Sequence, residues 1–156
     1  GKPGTYIFTA SYTDKGNGKI APVLGQGTLT LRSSTIPAAS ADQLIKVMKM
    51  KMDNVGELVI GSEDKSTAIY KGIDLTGIKE IKGSAFVMEG TTVGGRLEVH
   101  LGAADGPLAG SGEVKKAGVF TIPLSATEGL KDLYLVFRNE NAGGKPLFAI
   151  TELTFQ

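Results

Sequence analysis

Apolar and polar side chains alternate with a period of two along most of this chain, which is the signature of half-buried strands. Residues 6–12 (Tyr-Ile-Phe-Thr-Ala-Ser-Tyr) are rich in aromatic and β-branched types, and residues 27–32 (Gly-Thr-Leu-Thr-Leu-Arg) alternate Thr with Leu. Between them Asp14-Lys15-Gly16-Asn17-Gly18 carries an Asn-Gly pair that tolerates positive φ, so the two strands read as a hairpin with a long connection. Residues 34–41 are small, include Pro37 and hold no period, which reads as a linker or boundary. The next segment gives two signals. Ser40-Ala41-Asp42-Gln43 has capping-box spacing, whereas Met48-Lys49-Met50-Lys51-Met52 alternates strictly. A strand over 46–52, preceded by a turn at most, satisfies both, and its flexible Met side chains are assigned to an adaptable core face.

Seven further strands follow at 57–60, 67–74, 80–88, 95–101, 118–124, 132–138 and 147–155, punctuated by turn residues such as Asp105-Gly106-Pro107 and Ala142-Gly143-Gly144-Lys145. Gly110-Ser111-Gly112 reads as another turn. No segment sustains a 3.6-residue period. The expected fold is all-β: an antiparallel β-sandwich with an extra N-terminal β-hairpin, since short strands at this spacing each bury one face against a second sheet.

Composition narrows the chemistry. A chain of 156 residues and 16.3 kDa holds one core plus a short appendage. Lys and Arg number 17 against 16 Asp and Glu, no basic stripe forms, and nucleic acid is excluded as an expected partner. No apolar run approaches the ~20 residues of a membrane span, so membrane insertion is not expected, and Gly1-Lys2-Pro3-Gly4 carries no signal core. The absence of Cys removes disulfides and thiolate chemistry. The single His, His100, excludes any site needing two imidazoles. Alternation in 96–101 sets it on the polar strand face beside Glu98, where it reads as a solvated strand residue. Paired carboxylates for glycoside hydrolysis are available in number, with Glu57, Glu63, Asp64, Glu98, Glu140 and Glu152 as candidates, but no spacing brings two together and solvated surface is the simpler reading. The Gly16-Asn17-Gly18-Lys19 run lacks the Ser or Thr of a phosphate loop.

One ordered set of segments is more specific. Residues 70–78 (Tyr-Lys-Gly-Ile-Asp-Leu-Thr-Gly-Ile), 95–102 (Gly-Arg-Leu-Glu-Val-His-Leu-Gly), 105–108 (Asp-Gly-Pro-Leu), 133–137 (Leu-Tyr-Leu-Val-Phe) and the closing stretch from Leu147 to Phe155 together resemble carbohydrate-binding module family 6. The resemblance covers 33–156 and implies a jelly-roll sandwich. Residues 3–14 and 28–31 instead resemble the last strands of a bacterial immunoglobulin-like or PKD-like domain. The expected organisation is therefore 1–32, a hairpin left from a preceding domain, and 33–156, the module; that the hairpin belongs to the module and packs on it stays open.

The resemblance implies a noncatalytic module of a larger exported polysaccharide- or sugar-processing protein, binding a polysaccharide or oligosaccharide beside a linked catalytic domain, outside the cell, in the periplasm or on the cell surface. Its usual ligand residues carry over poorly. Thr67 stands where a Trp is common, Phe120 alone represents a Gly-Trp pair, and Ala149 replaces an Asn of the last strand. A platform Trp burying ~100 Å² of sugar contributes ~2.5 kcal/mol, about a hundredfold in affinity. Sugar binding would then fall to Asn139, Asn141, Lys145, Phe120, Tyr70 and Arg96, with the 139–145 loop first among them. The alternative is a degenerate structural spacer that has lost its ligand; a small glycoside hydrolase is a third and lesser reading. The family's structural calcium uses a Glu in the first strand and an Asp in the last. The first is missing from 36–40 and Thr151 stands near the second, so no cofactor is expected, with Asp42 and Glu152 the nearest available ligands.

Overall fold

The structure, a computed structural model, describes residues 5–156. Pro3 and Gly4, which open the stretch likened to an immunoglobulin strand, lie outside the described residues. The chain divides into two compact units, 1–33 and 34–156.

The first unit is the expected hairpin, β1 (Thr5–Thr13) and β2 (Leu24–Arg32), paired without a bulge from Thr5↔Arg32 to Thr13↔Leu24. Its connection closes on side chains. Asp14 Oδ1 accepts from the backbone N–H groups of Gly16 (3.0 Å) and Val23 (2.9 Å), and Asn17 Oδ1 from those of Lys19 and Ile20. The register places Tyr6, Phe8 and Tyr12 on one face with Leu29 and Leu31. These side chains are exposed, Tyr12 by 73%.

The second unit is a sandwich of two antiparallel sheets. Its strands are β3 (Thr35–Pro37), β4 (Gln43–Ile45), β5 (Val47–Met52), β6 (Gly56–Gly61), β7 (Ser66–Asp74), β8 (Glu80–Phe86), β9 (Gly95–Leu101), β10 (Leu108–Val114), β11 (Gly118–Pro123), β12 (Leu130–Arg138) and β13 (Ala149–Phe155). One sheet runs β10-β9-β12-β7-β4. The other runs β11-β8-β13-β6-β5, with β3 added beside β13. Facing layers bury Tyr70, Leu97, Ile122, Leu133, Leu135, Phe137, Leu147 and Phe148, and the rings of Phe137 and Phe148 meet at 4.9 Å.

Four sequence expectations change. Residues 34–41 are not a linker: Ile36, Ala38 and Ala39 are buried, and β3 followed by a single 3-10 turn (Ala38–Ser40) is too short to display a period. Gly110-Ser111-Gly112 is the middle of β10, not a turn. Its glycines answer to close packing, since a Cβ on Gly112 would lie 2.8 Å from the Ile122 side chain. The strand expected over 46–52 is β5, but the segment before it, expected as a turn at most, is a second short strand: β4 joins one sheet and β5 the other, with Lys46 at φ 54 between them. Met48 and Met50 are not core. They stand 46% and 43% exposed because β5 is an edge strand whose Met side faces outward, and of its three Met residues Met52 is the one that packs, with Phe86 and Met88, on the small apolar cluster of Leu58, Ile60 and Ala149.

Candidate functional site

The loops 62–65, 87–94, 115–117 and 139–148 emerge at one end of the sandwich, where β7 and β9 begin and β10 and β12 end. Among them opens a groove of about 430 Å³ lined by Arg96, Glu113, Lys115, Arg138, Glu140 and Asn141, with Val93, Gly95 and Asn139 completing the wall. Alternation along β9 turns Leu97 and Val99 into the core and Arg96, Glu98 and His100 outward. Pairing sets Arg138 opposite Arg96, Val136 opposite Glu98, and Tyr134 opposite His100, while Glu113 of β10 faces Arg96 from the other side.

A charge network underlies this groove. Glu98 Oε1 accepts from Arg96 Nη2 at 2.6 Å, and its Oε2 lies 3.3 Å from Arg138 Nη1 and 3.1 Å from His100 Nε2. Arg138 donates further through Nε to Asp64 Oδ1 (3.1 Å) and through Nη2 to Glu140 Oε1 (2.9 Å). Burial alone would raise the Glu98 carboxyl, but the donors His100 and Arg96 and the charges of Arg138 and Arg96 hold it below its ordinary value. Asp64 is lowered in the same way: burial opposes ionisation and is outweighed by the Asn139 backbone N–H and the Arg138 guanidinium. Arg138 is held more firmly protonated, the cost of its burial being exceeded by Asp64, Glu98 and Glu140. Glu98, expected on solvated surface, is thus a buried anion, with a side chain only 8% exposed. His100 is not the solvated strand residue expected either: 14% exposed, it is held between Glu98 and the Gly106 carbonyl, 2.8 Å from Nδ1.

The structure brings three of the six sequence-derived ligand candidates, Arg96, Asn139 and Asn141, to the groove. Asn139 is committed to the fold. Its Nδ2 donates to the Gly94 carbonyl at 3.0 Å and its Oδ1 accepts from the Asn141 backbone N–H at 3.0 Å. Asn141 is exposed, and among the described residues its side-chain amide has no hydrogen-bond partner. Lys145 is exposed in the turn closed by its own N–H to the Ala142 carbonyl, outside the groove lining. Tyr70 and Phe120 are withdrawn from the surface. Tyr70 is 1% exposed and donates its hydroxyl to the Ala38 carbonyl at 2.6 Å, and Phe120 packs in the core over Gly83. Both alternate with outward residues on their strands, so an aromatic there fills the sandwich. Sequence reasoning passed over Arg138, Glu113 and Lys115; Arg138 carried a signal, as a charged residue ending the apolar run of β12 on its polar side.

Elsewhere on this end, Ala149, in the position where the resemblance puts an amide, is fully buried among Leu58, Ile60, Met52, Phe86 and Met88. No sugar-binding amide is available there. The residues do not fit a calcium site. Among the described residues no three acidic or imidazole side chains converge as metal ligands; Asp42 Oδ2 accepts from the Lys71 backbone N–H, and Glu152 lies against Ser84.

No family model and no curated protein matches the sequence. Solved structures do. A family 6 carbohydrate-binding module from Clostridium cellulolyticum, in complex with xylose, superposes with a TM-score of 0.70 at 23% identity over 78% of this chain and 95% of that one. A family 43 arabinoxylan arabinofuranohydrolase from Bacillus subtilis, in complex with cellotetraose, matches at 0.68 and 20% identity over 78% of this chain and 26% of the enzyme. A family 36 module in complex with calcium and xylotriose matches at 0.57 and 13% identity, over 78% and 98%. The fold is therefore the β-sandwich of carbohydrate-binding modules, and family 6 is the grouping that the first of these represents.

Proposed function

We propose that residues 34–156 are a noncatalytic carbohydrate-binding module of a larger exported sugar- or polysaccharide-processing protein, holding that protein against glycan. One observation supports this above the others: a sandwich resembling modules solved with sugars carries an open polar groove at its loop end, with Arg96, Lys115 and Asn141 among the residues that line it. Such donors hydrogen-bond sugar hydroxyls, and weak binding suffices, because attachment raises the local substrate concentration for a linked catalytic domain. The arabinofuranohydrolase, in which the matching part is about a quarter of the chain, has this arrangement of module within a longer enzyme. The hairpin is read, on the resemblance of its strands, as part of an immunoglobulin- or PKD-like domain; its register gathers Tyr6, Phe8, Tyr12, Leu29 and Leu31 on one apolar face, as a strand pair of such a domain would.

A second reading, a structural spacer without a ligand, is favoured by a different observation. No aromatic side chain lines the groove, and the Ala149 position is filled with apolar groups. Affinity gel electrophoresis with soluble xylan, β-1,3-glucan and a soluble cellulose derivative, each with calcium and with chelator, separates the two. Retardation by at least one polymer, lost in Asn141→Ala and unaffected by chelator, is the expected result. Unchanged mobility on every polymer overturns binding in favour of the spacer.

A further inference from the structure

We propose that Glu98, which lies outside the groove lining, is its positioning residue, and that His100 braces it by donating from both ring nitrogens. The proposal about the groove rests on the sugar-binding reading; the proposal about His100 does not. A carboxylate buried this deeply is strongly unfavourable unless it is paired. Glu98 is paired on every side: Arg96 on Oε1, Arg138 and His100 on Oε2. Two of these partners are walls of the groove, so the carboxylate fixes where both guanidinium groups stand.

The ring of His100 follows from its neighbours. A carbonyl oxygen only accepts, so Nδ1, 2.8 Å from the Gly106 oxygen, carries a hydrogen. An ionised carboxylate also only accepts, so Nε2, 3.1 Å from Glu98 Oε2, carries the other. The ring then links the 102–107 loop to the carboxylate. On β9 the charged groups near this ring are Glu98 and Arg96. From β12 Tyr134 stands directly opposite it and Arg138 reaches the same carboxylate oxygen; from β10 the opposing residue is the uncharged Leu108, with Glu113 across from Arg96; the loop contributes exposed Asp105. With the Nε2 hydrogen lost, Oε2 faces a bare ring nitrogen or that ring turns away, and the anchorage of both arginines is weakened.

Two measurements test this. Ring ¹H–¹⁵N spectra of the wild-type chain are expected to show a hydrogen on both His100 nitrogens, and Glu98→Gln to remove the one that faces Oε2. A wild-type ring with a hydrogen on one nitrogen alone overturns the assignment and needs no variant to do so. In gels containing soluble xylan, Glu98→Gln is expected to weaken retardation about tenfold. His100→Gln, which leaves both arginine contacts with Glu98 in place, is expected to weaken retardation measurably but less than Glu98→Gln. Glu98→Gln binding like wild type, or His100→Gln binding like wild type, overturns the positioning role. Should Glu98→Gln not fold, the His100→Gln comparison decides alone. A wild-type chain that xylan does not retard, while other polymers also fail, defeats the sugar reading and the groove role together, and the ring spectrum still judges His100.

Discussion

Asp64 and Asn139, 75 residues apart in sequence, are joined by a 2.8 Å hydrogen bond from the Asn139 backbone N–H to Asp64 Oδ1, the same oxygen that accepts from Arg138 Nε. One carboxylate thereby ties the β6–β7 turn to the end of β12, and Asn139 passes the connection to the 87–94 loop through the Gly94 carbonyl. Replacing Asp64 with Ala removes the acceptor of a charged and a backbone donor, both part-buried. The expected loss is about 1–3 kcal/mol. Thermal unfolding checks it, with Glu113→Gln as the control: among the described residues Glu113 pairs with exposed Lys115 alone, and its loss is expected to change stability by less than about 1 kcal/mol.

The depressed Asp64 and Glu98 carboxyls give stability a definite pH dependence. Each binds protons less readily folded than unfolded, so its contribution is complete above its ordinary value, 3.8 for Asp64 and 4.5 for Glu98, and is lost as pH falls through the lowered folded value. Midpoint temperatures measured from pH 7 downward are expected to hold and then fall in the acid range. The double variant Asp64→Asn, Glu98→Gln starts lower and shows a shallower acid decline. Equal slopes for the two proteins would place the acid lability elsewhere.

Tyr70 makes the same kind of argument for a neutral group. Its hydroxyl is buried by the sandwich, and burial, with the charge of Asp42 behind it, pushes its ionisation far above the ordinary range, so it acts only as a donor. Tyr70→Phe leaves the Ala38 carbonyl without that donor and is expected to cost about 1–2 kcal/mol in chemical denaturation. Polysaccharide retardation is expected to be unchanged, because Tyr70 reaches no part of the groove.

The alternation of β7, β9 and β12 was legible because each buries one face over six or more residues, long enough for a period of two to repeat, and the nine-residue strands of the hairpin repeat it as well although their apolar face is exposed. β3 and β4 were not, because three residues carry no period, and β10 was hidden because close packing against β11 put glycines where apolar side chains would have marked it. The site was legible only in part. Asn141 and Arg96 stood out by residue type and position. Glu98 and His100 did not, because whether a polar strand face is wet or sealed depends on what neighbouring strands bring to it, here Arg138 and Tyr134 from a strand some 40 residues further on. The aromatics misled for the converse reason: in a chain without Trp, Tyr70 and Phe120 are needed inside.

Gly94 offers a test of how firmly the groove loops are set. Its φ is 69, its N–H donates to the Leu147 carbonyl at 2.7 Å, and its own carbonyl accepts from Asn139 Nδ2. A Cβ placed there would lie 2.7 Å from the Val114 carbonyl oxygen, a backbone atom that has no rotamer by which to retreat. Gly143 has a comparable φ of 59, but a Cβ on it meets nothing within 4 Å. Ala at Gly143 therefore incurs only the left-handed strain, about 1 kcal/mol, whereas Ala at Gly94 adds a steric collision and is expected to cost about 2–4 kcal/mol. Urea denaturation of the two variants measures the difference directly. A Gly94→Ala variant as stable as Gly143→Ala would mean that β10 yields at Val114, and that the wall of the groove formed by Glu113 and Lys115 moves independently of the 87–94 loop.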